Sequence, residues 1–199
     1  MKGHTMHNIT TTTLRRNGKK QRGFTMVELI VVLGIIALLA IFGMPFARAL
    51  IIDGKVPDVA QDINKTATKV RNSYAGGGAT PYSSINTAGF ANLSRGLAGS
   101  ITVTGTGAAA TMSHDIGQTG STITVASNTI TTAGDSFAVT MNTVNEAACP
   151  SLAAQLGKAA EQISINGTVV KAVNGTFNSA TASTACTTGD GNTYVFVFR

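Results

Sequence analysis

The spacing of hydrophobic positions changes along the chain, and each spacing predicts a different element. Leu29 to Ala47 form nineteen residues without a charge, bounded by Glu28 and Arg48. At about 1.5 Å per helical residue and about 20 residues per bilayer, that run suits a membrane-crossing helix. Beyond it, Val56, Val59, Ile63, Ala67, Val70 and Tyr74 recur at three- or four-residue steps. Asp58, Asp62, Lys65, Lys69 and Arg71 fall mostly between them, which predicts an amphipathic helix with one buried stripe. Pro57 is expected near its start or at a break. Ala75 to Pro81, rich in glycine, ends the helix, and residues 75–100 read as irregular.

The remainder alternates with the two-residue period of half-buried strands. Ile101–Thr104, Thr122–Val125, Thr129–Thr131 and Ser136–Met141 each carry β-branched or aromatic residues on one side. Ile163–Ile165 and Thr168–Lys171 flank Asn166-Gly167, a strong hairpin signal. Tyr194 to Phe198 is continuously apolar, which suggests a central, well-covered strand. Between strands, Cys149 to Gln162 predicts a helix, with Pro150 in its first turn and Leu152, Leu156, Ala160 and Ile163 as its stripe. The expected fold class is α+β: a long N-terminal helix packed on an antiparallel sheet, with one short additional helix.

Charge sharpens the organisation. The net charge of +6 suggests an anionic partner until the basic residues are located. Lys2, Arg15, Arg16, Lys19, Lys20 and Arg22 all precede residue 24, with no acid among them. The other 176 residues hold nine basic and nine acidic groups, so no basic nucleic-acid face is evident. Charged residues are only 12% of the chain, below the norm for a freely soluble domain and common in secreted, assembled surface proteins. A basic flank before the apolar run predicts a cytoplasmic N-terminus and an outward-facing body.

A secretory signal peptide has a shorter apolar region and a small-residue cleavage site, and Pro45 to Leu50 offers a poor one. A plain signal anchor fits the length but leaves Glu28 unexplained, because an acid at the membrane is costly. Cleavage after Gly23 accounts for both features. Phe24 then carries a new ammonium, with Glu28 one helical turn away. The stretch Arg22-Gly23-Phe24-Thr25-Met26-Val27-Glu28-Leu29, followed by an apolar helix, strongly resembles the class III signal of type IV prepilins. The resemblance implies that prepilin peptidase cuts between Gly23 and Phe24 and N-methylates Phe24. It implies that Glu28 serves assembly into a homopolymer with the inner-membrane pilus machinery. It also implies a helix kink at Gly43 and Pro45. The segments expected are a cleaved leader 1–23, a transmembrane and assembly helix 24–52, an amphipathic stem 53–75 and a globular head 76–199. The subunit is expected as a single-pass inner-membrane protein that then joins an extracellular pilus, or fimbrium.

Cys149 and Cys186 are the only cysteines, and the topology places them outside the cytoplasm, where a disulfide is the expected state. The bridge closes a loop worth about 4 kcal/mol of chain entropy. A metal centre needs more ligands than His114 alone supplies beyond residue 23, and a redox catalyst needs a C-x-x-C. A cysteine-bounded C-terminal loop, a 23-residue leader and a large head resemble the IVb subclass, near conjugative thin pili and bundle-forming pili. Phe24 departs from that pattern, since the IVb subclass often begins with Met, Leu or Val.

His114-Asp115 lacks a nucleophile motif and reads as a surface loop. Asn166-Gly167-Thr168 and Asn174-Gly175-Thr176 match glycosylation sequons but read as turns. No phosphate loop, metal site or cofactor site is evident, and no enzyme is expected. The expected role is a structural type IV pilus subunit for adhesion, cell contact or conjugative transfer. The rivals are a minor pilin, a type II secretion pseudopilin, and a signal-anchored enzyme or binding domain.

Overall fold

The computed structural model describes residues 23–97 and 99–199. The basic leader expected over residues 1–23 lies, except for Gly23, outside the described residues. Contacts divide the chain into two compact units, Met1–Ile41 and Phe42–Arg199.

Helix α1 (Met26–Tyr74) begins with a cap. The Thr25 hydroxyl accepts from the Glu28 N–H at 3.2 Å, and the Thr25 carbonyl accepts from the Leu29 N–H at 3.1 Å. Thr25 and Glu28 have the spacing of a capping box, and the acid in the first turn complements the helix dipole. The large aliphatic and aromatic side chains from Phe24 to Ile51 are exposed. Burial starts at Ile52 and then follows the expected stripe: Val56, Val59, Ile63, Ala67 and Val70 are all fully buried. Pro57 neither starts nor breaks the helix, contrary to expectation. It is exposed between buried Val56 and Val59, so water can satisfy the carbonyl its missing N–H leaves free while the buried neighbours hold the helix.

The region 75–100 is not all irregular. Helix α2 (Thr87–Ser94) forms there, capped by the Asn86 side chain, which accepts from the Gly89 N–H at 2.8 Å, and anchored by buried Phe90. The sheet contains β1 (Ile101–Thr104), β2 (Thr111–His114), β3 (Gly117–Thr129), β4 (Ala133–Val144), β5 (Gln162–Ile165), β6 (Thr168–Lys171) and β7 (Asn192–Phe198). Its order is β1-β2-β3-β4-β7-β5-β6, antiparallel throughout. The expected central place of β7 is what forms. The segment 129–131 is not a separate strand, because β3 runs to Thr129 and the chain then turns.

That turn is held by Asp135. Its carboxylate accepts from the N–H groups of Ile130 at 2.9 Å, Thr131 at 2.9 Å and Thr132 at 3.1 Å. Chiefly through the Ile130 bond, this lowers its pKa well below the usual carboxylate range, although burial opposes the shift. Asn166 (φ 50°) and Gly167 (φ 82°) make the β5–β6 hairpin turn, where two positive φ values favour the Asn-Gly pair.

The predicted helix 149–162 shrinks to α3 (Ser151–Leu156). Leu152, Leu156, Ala160 and Ile163 are all buried, but Ile163 belongs to β5, which pairs with β7. A four-residue apolar spacing thus ran across a helix–strand junction. Helix α4 (Ser179–Ala185), capped by Asn178, was not predicted because its Ser-Ala-Thr sequence has no apolar period.

One core joins the stem stripe to the sheet. The register places Phe137 opposite Phe198, Val139 opposite Phe196 and Met141 opposite Tyr194, all fully buried. Phe137 stacks on Phe198 with centroids 5.5 Å apart, and it meets Tyr82 at 4.9 Å and Phe90 at 6.3 Å. The Arg71 guanidinium lies 5.7 Å from the Phe198 centroid, so the last turns of α1 cover the β4–β7 row.

The assembly segment and the disulfide-bounded region

Two features carry the functional expectations. Gly23, Phe24, Thr25 and Glu28 line a single cleft at the start of α1. Phe24 is 80% exposed, and the Thr25 cap presents Glu28 in the first helical turn. The T-x-x-E spacing that makes this cap was present in the sequence but hidden by the more conspicuous Gly-Phe junction. α1 is long and apolar enough to cross a membrane, and its most apolar window is exposed. Gly43 and Pro45 both lie inside α1.

The second feature is the C-terminal region. Cys149 and Cys186 are disulfide-bonded, with Cα atoms 6.2 Å apart. The bridge joins Cys149, two residues before the start of α3, to Cys186, the C-terminal cap of α4 in the segment that leads into β7. The Tyr194 hydroxyl donates to Cys149 Sγ, and burial pushes that phenol well above its ordinary value. Buried Asn192 organises the loop behind the bridge. Its amide donates to Val144 O at 3.2 Å and Thr187 O at 2.9 Å, while its oxygen accepts from the Thr187 N–H at 2.8 Å and from the Asn166 amide at 2.9 Å. Asn166 in turn accepts from the Thr193 N–H at 2.8 Å. The hairpin turn, the disulfide loop and β7 are therefore one hydrogen-bonded unit with its polar atoms satisfied.

This unit is tied to α1. Asp190 accepts from Arg48 Nη2 at 3.1 Å and from the Asn145 amide at 2.7 Å, and Arg48 also donates to Gly117 O at 3.3 Å. Lys55 pairs with Asp115 at 2.6 Å. The sequence showed these charges but not their partners, which are 142 and 60 residues away.

His114 is not in a surface loop. It ends β2 with 7% exposure and donates from Nε2 to Asn142 O at 2.9 Å. Burial lowers its pKa, and its Nδ1 has no partner among the described residues. Among the described residues no group of three or more His, Cys, Asp or Glu is placed to hold a metal.

Residues 57–199 match the family described as PilS N terminal. The chain belongs to that family. Residues 18–44 of this pilin also match the prokaryotic N-terminal methylation motif, which contains Gly23, Phe24 and Glu28. Among solved structures, it is similar to a type IV b pilin from Salmonella typhi, with 25% identity over 72% of this chain and 96% of that one, and a TM-score of 0.53. It also aligns with TcpA, a type IV pilin from Vibrio cholerae El Tor biotype, at 18% identity, 73% and 99% coverage and a TM-score of 0.47. No curated protein matches it. The pilin is IVb-like, and its role is that of a structural subunit of a type IV pilus. The methylation motif implies processing by prepilin peptidase and assembly with other pilin subunits. The apolar helix and the family fit a membrane-anchored form that passes into a pilus filament.

Proposed function

We propose that the chain is a major pilin, cut between Gly23 and Phe24 and N-methylated on Phe24. The observation that carries this reading is the presence, on one chain, of the methylation motif over 18–44 and the PilS family match over 57–199. Residues 1–23 are the leader, 24–52 hold the subunit in the inner membrane as a single pass and later pack in the filament, 53–75 are the stem, and 76–199 are the head. Gly43 and Pro45 kink the helix. The exposed apolar surface of 24–51 supports a segment that exchanges lipid for neighbouring helices. The subunit is structural and catalyses no reaction, and the filament serves adhesion, cell contact or conjugative transfer.

The Phe24 ammonium pairs with Glu28 of an adjacent subunit and sets the axial register. Leaving one member of a buried ion pair alone costs about 3–5 kcal/mol. Glu28→Leu therefore abolishes or misregisters filaments while the subunit persists in the membrane. Normal filaments from that variant, at normal subunit level, would refute the pairing. N-terminal sequencing of sheared native filaments is expected to begin at methylated Phe24, and any other start overturns the processing assignment.

A further inference from the structure

Most acids of the described residues after Glu28 already have partners. Asp62 accepts from the N–H groups of Gly99 and Ser100, Asp115 from Lys55, Asp135 from its own turn, Glu146 from the Gly189 N–H and Asp190 from Arg48. Asp53 and Asp58, both exposed on the stem, form no ion pair among the described residues; nor do Lys65 and Lys69 above them. Lys65 makes only an intrahelical bond to Gln61 at 2.9 Å.

The two lysines are not scattered on a convex surface. With Asn64, Thr68, Asn72 and Leu97 they line a groove of about 370 Å³ beside α1. Leu97 lines one side and is 37% exposed. Such a groove suits a carboxylate, which can meet both ammoniums at once.

Helical geometry indicates where that carboxylate comes from. Lys65 and Lys69 follow Asp58 by seven and eleven residues, so all three lie within about 20° of one line along α1. Asp58 is below the lysines by about 10 Å and about 16 Å and cannot reach them within its own chain. A second stem displaced along the first by that distance brings its Asp58 level with the groove. We propose that the groove is a docking surface for a second copy of this chain, which inserts Asp58 between Lys65 and Lys69. The inference rests on the pilus-subunit reading and adds a stem-level register contact to it.

The test uses the full chain expressed with its assembly machinery, scored by sheared-filament yield at equal membrane subunit level. Asp58→Lys, and separately Lys65→Glu with Lys69→Glu, each place like charges together and are expected to lower the yield about tenfold. Combining all three substitutions in one chain restores it. Co-expressing a chain basic at all three positions (Asp58→Lys) with one acidic at all three (Lys65→Glu, Lys69→Glu) yields mixed filaments containing both, though neither assembles alone. Native yield from either reversal overturns the proposal, as does failure of both rescues. Rescue within one chain but not by the mixture places the pairing inside one subunit and also overturns it. A native chain that forms no filament would instead refute the pilus reading itself.

Discussion

Replacing both Cys149 and Cys186 by serine removes a bridge across a sequence separation of 37 while keeping an oxygen at position 149 to accept from the Tyr194 hydroxyl. The perturbation is thereby confined largely to the unfolded chain. Opening a loop of that length returns about 4 kcal/mol of conformational freedom to the denatured state. For a unit the size of Phe42–Arg199, each kcal/mol moves the thermal midpoint by about 2–4 °C, so the midpoint falls by about 8–16 °C. In guanidinium chloride the same change lowers the unfolding midpoint by about 1 M. The assay is circular dichroism of the detergent-solubilised mature chain, with the free-thiol count verified by mass spectrometry. Reduction of the native protein should reproduce the shift, and reduction of the serine variant should change nothing. A variant that folds, lacks the bridge and melts within about 3 °C of native refutes the loop-entropy argument. It would mean that the Asn192 network alone constrains this region, or that the unfolded chain is already compact there.

Phe137→Ala removes a fully buried ring that touches Tyr82, Phe90 and Phe198, and is expected to cost about 3–5 kcal/mol in denaturant titration. A loss below about 1 kcal/mol would show that the β4–β7 row is not the centre of the core. The pH dependence follows from two groups whose native pKa values are lowered. His114 is neutral when buried, so its contribution is complete above its ordinary value of 6.5 and is lost as pH falls toward its lower native value. The Asp135 contribution is complete above 3.8 and is lost only in stronger acid. Thermal midpoints should therefore decline in two steps on acidification, and His114→Gln should remove the first. An unchanged profile in that variant refutes the assignment.

The N-terminal methylation motif was legible in the sequence because its chemistry is local. A basic flank, Gly23, Phe24, Glu28 and an apolar run act through adjacency in the chain, and one helical turn connects them. The stem stripe was legible for the same reason, since a 3.6-residue period needs no distant information. Alternation placed most strands, and Asn166-Gly167 placed one turn, because two positive φ values select those residues. The disulfide followed from there being only two cysteines in an exported chain.

What the sequence did not determine depended on partners far away in the chain. β2 was missed because His114 counts as polar until its burial against Asn142 is seen. The helix from Cys149 stops at Leu156 because pairing with β7 claims the residues that follow, and no local propensity contains that competition. Asp190 reads as a surface charge until Arg48 reaches it across 142 residues. Sequence by itself determined the N-terminal methylation motif, the long apolar run, the stem stripe and the α+β class, because short-range periodicity and covalent order specify them. Only tertiary structure decided the strand order, the ends of the short helices and the partners of the buried polar groups, because those arise where hydrogen-bonding groups must be satisfied across the fold.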